Sequence, residues 1–319
     1  MPHLALLATG GTIAGLGSDA NYTAGLLDAG ALLAAQPALA KLASWQLQQV
    51  FSLDSRDLDA GHWLTLAAAI QPLRDDPAID GIVITHGTDT LEETALALAL
   101  LLPAGKPVVM TAAMRPANSA EADGPANLLQ AARVACCAQA TGRGVLVVAQ
   151  GQILAAARCH KADTQALDAL RASAGEALGH LDGEQVVFTA QAPGLPQLPL
   201  PTAASLPRVD ILYGHAGMPA DLVAACVAAG ARGLVLALAG HGSVPAALRP
   251  ALQAAQQAGV SIVRASRITS GGVWPDCNED DQTNGFIAAG ALSPQQARVA
   301  LLLALAAGKS PAALFKACR

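Results

Sequence analysis

GIVITHGTDTLEETALALALLL, residues 81–102, opens with a short β-branched run, passes through a turn of hydroxyls, a histidine and an aspartate, and ends in a helix-length Ala/Leu segment. That order reads as strand, loop and helix. The same order recurs on both sides. HLALLA precedes LLDAGALLAAQPALAKLA, PVVMTAA precedes GPANLLQAARVACCAQA, and GVLVVA follows. Strands that are apolar throughout and separated by helices predict an α/β fold, a mainly parallel sheet flanked by helices. Such a sheet binds its ligands at the carboxyl ends of its strands.

Residues 191–207, QAPGLPQLPLPTAASLP, interrupt the alternation with a proline-rich stretch that reads as an extended linker. Beyond it the pattern restarts with VDILYG, GLVLALAG and SIVRAS as strands between alanine-rich helices. The sequence therefore predicts a larger N-terminal α/β domain over 1–190, a linker over 191–208 and a smaller C-terminal α/β domain over 209–319.

Hydrophobic residues make up 53% of the 319 positions and charged residues 13%, so the chain has ample material for cores. Aromatics are only 3%, which leaves close alanine-lined helix packing to replace bulky side chains. A formal net charge of −5 argues against a nucleic-acid binder. The six cysteines show no C-x-x-C spacing and read as reduced thiols. The longest apolar stretch, LEETALALALLLPAGKP, is too short to span a bilayer and is opened by Glu92 and Glu93, so it reads as a buried helix. The start MPHLALLATGG reaches glycines too soon for a signal peptide, and a cytoplasmic location is expected.

Polar clusters gather where loops leave strands: TGGT at 9–12, DSRD at 54–57, THGTDT at 85–90, AAMRP at 112–116, and ARCHKADT at 157–164. Each alone is also what an ordinary helix-capping turn looks like. Together they offer hydroxyls, carboxylates and an amine, with glycines that let a small ligand approach the backbone. His86, His160 and His241 stand singly, so no metal site is expected. GGTIAG lacks the dinucleotide fingerprint, and neither a P-loop nor a G-x-S-x-G elbow occurs, so no cofactor is expected either. A threonine nucleophile remains. Its hydroxyl needs a neighbouring base or cation, for which Lys161 and Asp89 are the candidates, the lysine acting as a neutral base or as a cation that stabilises the alkoxide.

ATGGTIAG (8–15) with NYTAG, then ITHGTDTLEETA, AMRPANSAEADGPANL and RCHKADT, resemble the bacterial-type L-asparaginase family, particularly its type II branch. VRASRITSGG and DDQTNGF extend the likeness through the second domain, so it covers essentially the whole chain. The resemblance implies hydrolysis of L-asparagine to L-aspartate and ammonia through an acyl-enzyme on threonine. It makes Thr12 the nucleophile, activated by Tyr22 on a lid, GLGSDANYTAG, and makes Thr88, Asp89 and Lys161 a second, deeper triad. Ser55 and Asp89 match positions that hold the substrate's α-carboxylate and α-amine, and Ala113 a backbone contact to its amide. Backbone N–H groups near Gly11 and Thr88 suit oxyanion donors, and Gly87 between them is a candidate substrate-binding residue. The resemblance also implies a homotetramer of close dimers, each site completed by a partner's second domain.

Three positions depart from the family pattern. Arg56 stands where glutamine is usual and brings a cation towards the expected α-amine. Asn278 falls where the family carries a glutamate reaching a neighbouring subunit's site, with Glu279 one residue away, and His241 replaces an asparagine or serine in the wall of the site. These bear on asparagine against glutamine preference, so a glutaminase-asparaginase is the neighbouring reading. A non-catalytic sensor of aspartate or asparagine is the reading from another class.

Overall fold

Thr9 and Gly10 close the first strand, β1 (His3–Gly10), whose last seven residues are all buried. A hairpin follows, β2 (Leu16–Ser18) against β3 (Asn21–Thr23), and then α1 (Ala29–Ala34), α2 (Ala38–Leu42) and β4 (Ser44–Leu53). The segment LLDAGALLAAQPALAKLA is thus two short helices and not one. Pro37 stands between them because it has no N–H to continue the ladder of α1. Next come α3 (Ala60–Asp75), β5 (Gly81–Thr85), α4 (Leu91–Leu101), β6 (Val108–Thr111), α5 (Gly124–Cys136) and β7 (Val145–Ala149). The short strands β8 (Gln152–Ala155), β9 (Cys159–Lys161), β10 (Leu170–Ala172), β11 (Gly179–Asp182) and β12 (Gln185–Phe188) finish this part of the chain. The computed structural model describes residues 1–173, 177–202, 204 and 206–318 and resolves into two units, Met1–Pro193 and Gly194–Arg319.

In the first unit an eight-stranded sheet runs β12-β11-β8-β7-β6-β5-β1-β4. From β4 to β7 every pairing is parallel, and from β7 to β12 every pairing is antiparallel. One face packs Leu4, Leu6, Val83, Val109 and Leu146 against Leu128, Ala131 and Ala135 of α5. Small residues on α5 let it lie close to the strands, which is how an aromatic-poor chain keeps its core dense. After β1 the chain moves outward to β4 and then crosses to β5 on β1's other side. The carboxyl ends of β1 and β5 are therefore the topological switch point, the place where sheets of this kind bind their ligands.

The second unit holds β13 (Arg208–Tyr213), α6 (Asp221–Ala228), β14 (Ala231–Leu238), α7 (Arg249–Gln257), β15 (Ser261–Ser266), α8 (Asp281–Asn284), β16 (Phe286–Ala288), α9 (Pro294–Ala306) and α10 (Pro311–Ala317). Its sheet, β13-β14-β15-β16, is parallel throughout. The three expected strands are present, and β16 is a fourth that three residues of FIA give too little periodicity to reveal. Arg264 on β15 is wholly buried and is held there by a bidentate pair with Asp281, at 2.6 and 2.7 Å, and by the carbonyls of His241 and Gly242. Between Thr189 and Arg208 the described residues form no strand or α-helix. No helix among the described residues is long and apolar enough to cross a membrane.

Candidate functional site

Thr12 begins a single 3-10 turn, Thr12–Ala14, immediately beyond β1. Gly11 before it has φ 78° and ψ −177°, a region essentially reserved for glycine, and its N–H donates to the carbonyl of Leu53 at 2.8 Å. This sharp exit points the Thr12 side chain at the hairpin, where Thr12 Oγ1 and the Tyr22 hydroxyl are 2.7 Å apart. The lid segment is therefore an ordered β2–β3 hairpin. Its base is tied to the loop after β6, with Ala117 N–H donating to the Gly15 carbonyl at 2.8 Å and Gly17 N–H to Asn118 Oδ1 at 2.9 Å.

The loop after β5 brings the second group. Lys161 Nζ donates to Thr88 Oγ1 at 2.9 Å and to Asp89 Oδ1 at 2.6 Å. Thr88 is buried, whereas half of the Asp89 side chain is open, so one carboxylate can pair with the lysine and still face a ligand. Lys161 does not come from the end of β7, as the sequence order suggests. The antiparallel hairpin β7–β8 intervenes, and β9 delivers the residue.

Glycine contact joins the two groups. A Cβ on Gly11 would lie 2.4 Å from both the Cα and N of Gly87, and one on Gly87 would lie 2.6 Å from Ser55 Oγ. Gly11, Gly87 and Ser55 therefore touch, and the loops carrying Thr12, Thr88 and Ser55 converge. The Thr90 hydroxyl adds a 2.7 Å bond to the Ser55 carbonyl. Ala113 is buried near Ile13, since a Cβ on Gly124 would meet both side chains. The main chain after Ala113 is fixed by the buried Asp123 carboxylate, which accepts from the N–H groups of Met114 and Arg115.

Arg56 does not project an uncompensated cation into this group. Its guanidinium is exposed and pairs with Asp54 at 2.9 Å, and Asp54 also accepts from the Arg56 N–H. His241, Asn278 and Glu279 belong to the second unit. Glu279 is buried, accepts from Val244 N–H at 2.8 Å and pairs with Arg249 at 2.7 Å, so its carboxylate is engaged within its own unit. Asn278 adopts φ 61°, and His241 Nε2 accepts from Trp274 N–H at 3.3 Å. Among the described residues no group of three or more His, Cys, Asp or Glu side chains could hold a metal ion.

His86, the residue before Gly87, is fully buried, and desolvation pushes its imidazole pKa down to about 4, against a smaller opposing effect of its bond to the Gly87 carbonyl. The ring is therefore neutral, with Nδ1–H donating to that carbonyl at 2.7 Å. Between pH about 6.5 and about 4 the unfolded chain binds a proton that the folded chain refuses, so stability falls as the pH drops through that window, by on the order of 3 kcal/mol from this residue. Urea midpoints of wild type and His86→Gln will diverge at pH 7 and converge towards pH 4.5. Parallel pH dependences would show that His86 does not refuse the proton.

Sequence reasoning assigned no role to His86, Asp123 or Glu92, because a histidine in a turn and acids near helix starts look like ordinary capping residues. The model of the asparaginase N-terminal domain matches residues 3–194, and that of the glutaminase/asparaginase C-terminal domain matches residues 208–317. The chain is 39% identical over 319 residues to L-asparaginase 2 of Escherichia coli, spanning 98% of this chain and 91% of that protein. It is 38% identical over 318 residues to a probable periplasmic L-asparaginase of Haemophilus influenzae, spanning 98% and 90%. A glutaminase-asparaginase of Pseudomonas aeruginosa is 35% identical over 313 residues, spanning 96% and 86%. The crystal structure of a probable cytoplasmic L-asparaginase from Campylobacter jejuni superposes with a TM-score of 0.93 at 34% identity, covering 99% of both chains. This chain belongs to the asparaginase family of amidohydrolases.

Proposed function

We propose that the protein hydrolyses L-asparagine to L-aspartate and ammonia, with Thr12 as nucleophile. The observation that carries this reading is the two groups of short polar contacts carried by converging loops, Thr12 with Tyr22 and Lys161 with Thr88 and Asp89. Thr12 Oγ attacks the side-chain amide carbon while its proton passes towards the Tyr22 oxygen. The C–N bond breaks, the amine leaves as ammonia with a proton returned to it, and an ester on Thr12 remains. Water then attacks that ester, directed by the Thr88–Lys161 group, and releases L-aspartate with the threonine hydroxyl restored. N–H groups around Gly11, Gly87 and Thr88 suit the developing oxyanion. Asp89 and Ser55 suit the substrate's α-amine and α-carboxylate. Arg56, neutralised by Asp54, lies at the edge of that pocket. His241, Asn278 and Glu279 belong to the wall that a partner subunit supplies in a homotetramer.

L-Glutamine is the second substrate to assay, in view of the Pseudomonas aeruginosa relative's name. We place the protein in the cytoplasm, following the Campylobacter jejuni relative, against the periplasmic name of the Haemophilus influenzae one. Light scattering and cell fractionation test the assembly and the location. The mechanism itself is tested with hydroxylamine present during turnover of L-asparagine. An acyl-enzyme will partition, giving β-aspartyl hydroxamate at the expense of L-aspartate while ammonia release continues. Ammonia release with no hydroxamate would mean direct attack by water and would remove Thr12 from the nucleophile's role.

A further inference from the structure

Lys161 closes β9, a strand of three residues whose named partner is the equally short β10. So short a ladder gives little hold on the lysine's main chain. A second hold comes from α4. The main-chain N–H of Lys161 donates to Glu92 Oε2 at 2.9 Å, across 69 residues of sequence. Glu92 lies in the first turn of α4 and is only 7% exposed. A carboxylate buried that deeply needs hydrogen-bond donors, and the positive end of the helix favours its charge. The same segment of chain that presents Thr88 and Asp89 to the lysine ammonium thus presents Glu92 to the lysine amide. Backbone and side chain of one residue are both held against residues 88–92.

We propose that Glu92 is a positioning residue for Lys161, fixing its main chain so that Nζ lies between Thr88 Oγ1 and Asp89 Oδ1. The proposal rests on the catalytic role given above to Lys161. Nearby, burial and then the Glu92 charge push the pKa of the Cys159 thiol up.

The test compares kcat and KM for L-asparagine in Glu92→Gln, Glu92→Met, Lys161→Met and the Glu92→Met/Lys161→Met double variant. Glutamine keeps an acceptor oxygen at the same reach, so Glu92→Gln will retain kcat within about threefold of wild type. Methionine fills the space without an acceptor, and Glu92→Met will lose about ten- to a hundredfold in kcat, as displaced catalytic groups do, with KM changed less than about threefold. The double variant will be no slower than Lys161→Met alone, because the lysine is what Glu92 places. Glu92→Asp, which draws the acceptor back by one methylene, will give an intermediate loss and replaces Glu92→Met should that variant not fold.

Three results would overturn the proposal: equal losses in Glu92→Gln and Glu92→Met, an unchanged kcat in Glu92→Met, or losses that multiply in the double variant. Full activity in Lys161→Met is a different failure. It would remove the lysine from catalysis and with it the mechanism on which the proposal rests.

Discussion

Thr12→Ala will turn over L-asparagine more slowly than wild type by a factor on the order of 10⁴ to 10⁶, the loss seen when an enzyme's nucleophile is deleted. The substitution removes one hydroxyl and one methyl from a buried residue in a single 3-10 turn, without disturbing the glycine geometry that precedes it. Its partner, the Tyr22 hydroxyl, belongs to a residue that is 37% exposed, so water can take the vacated hydrogen bond. Stability should therefore change by no more than about 1 kcal/mol. L-Aspartate will still raise the melting temperature, because Ser55, Asp89 and the Gly11–Gly87 contact are untouched. Ammonia release and a thermal melt on the same preparation separate the two effects. If Thr12→Ala keeps a tenth of wild-type turnover, the nucleophile lies elsewhere, and Thr88 with its lysine contact is the residue to examine next.

How far such a site can be read beforehand depends on which distances the sequence encodes. The β5–α4 unit is legible because GIVIT is apolar on both faces and LEETALALALLL is helix-length, and the fold class follows from its repetition. Strand β4 is not, since SWQLQQVFSL is an edge strand with no residue fully buried, and its polar content hides its period. The chemical types at the site, threonines, aspartate and lysine, are visible in the motifs. The meeting of Lys161 with Asp89 is not, because 72 residues and an antiparallel hairpin separate them. The family resemblance supplies that pairing without its geometry. Arg56 shows the converse: its identity suggests a free cation, and only the structure reveals that Asp54 neutralises it. Glu92 escapes both routes, since an acid in a helix's first turn already has a sufficient local explanation.

Gly11→Ala will both destabilise the protein and slow it, through a single methyl group. Two effects add. The dihedrals φ 78° and ψ −177° lie where a Cβ is strained by about 1 to 3 kcal/mol. The new Cβ would also sit 2.4 Å from the Cα and N of Gly87 and 2.8 Å from the carbonyl carbon of His86, all of them main-chain atoms that cannot swing aside. Forcing extra volume into a packed site costs a further 1 to 3 kcal/mol or so. A total of about 2 to 6 kcal/mol corresponds to a drop in melting temperature on the order of 5 to 15 °C. Because the displaced backbone carries Thr88 on one side and Thr12 on the other, kcat will fall about a hundredfold in whatever fraction remains folded. Gly183→Ala is the control. At φ 58° with open space around its Cβ, Gly183 shows what a positive φ costs an alanine where no steric clash is added. Its variant will melt only a few degrees below wild type, with full turnover, consistent with a strain of about 1 kcal/mol. If Gly11→Ala proves as mild as Gly183→Ala, the contact between the two loops is slack, and the convergence of Thr12 and Thr88 does not depend on the missing side chains at Gly11 and Gly87.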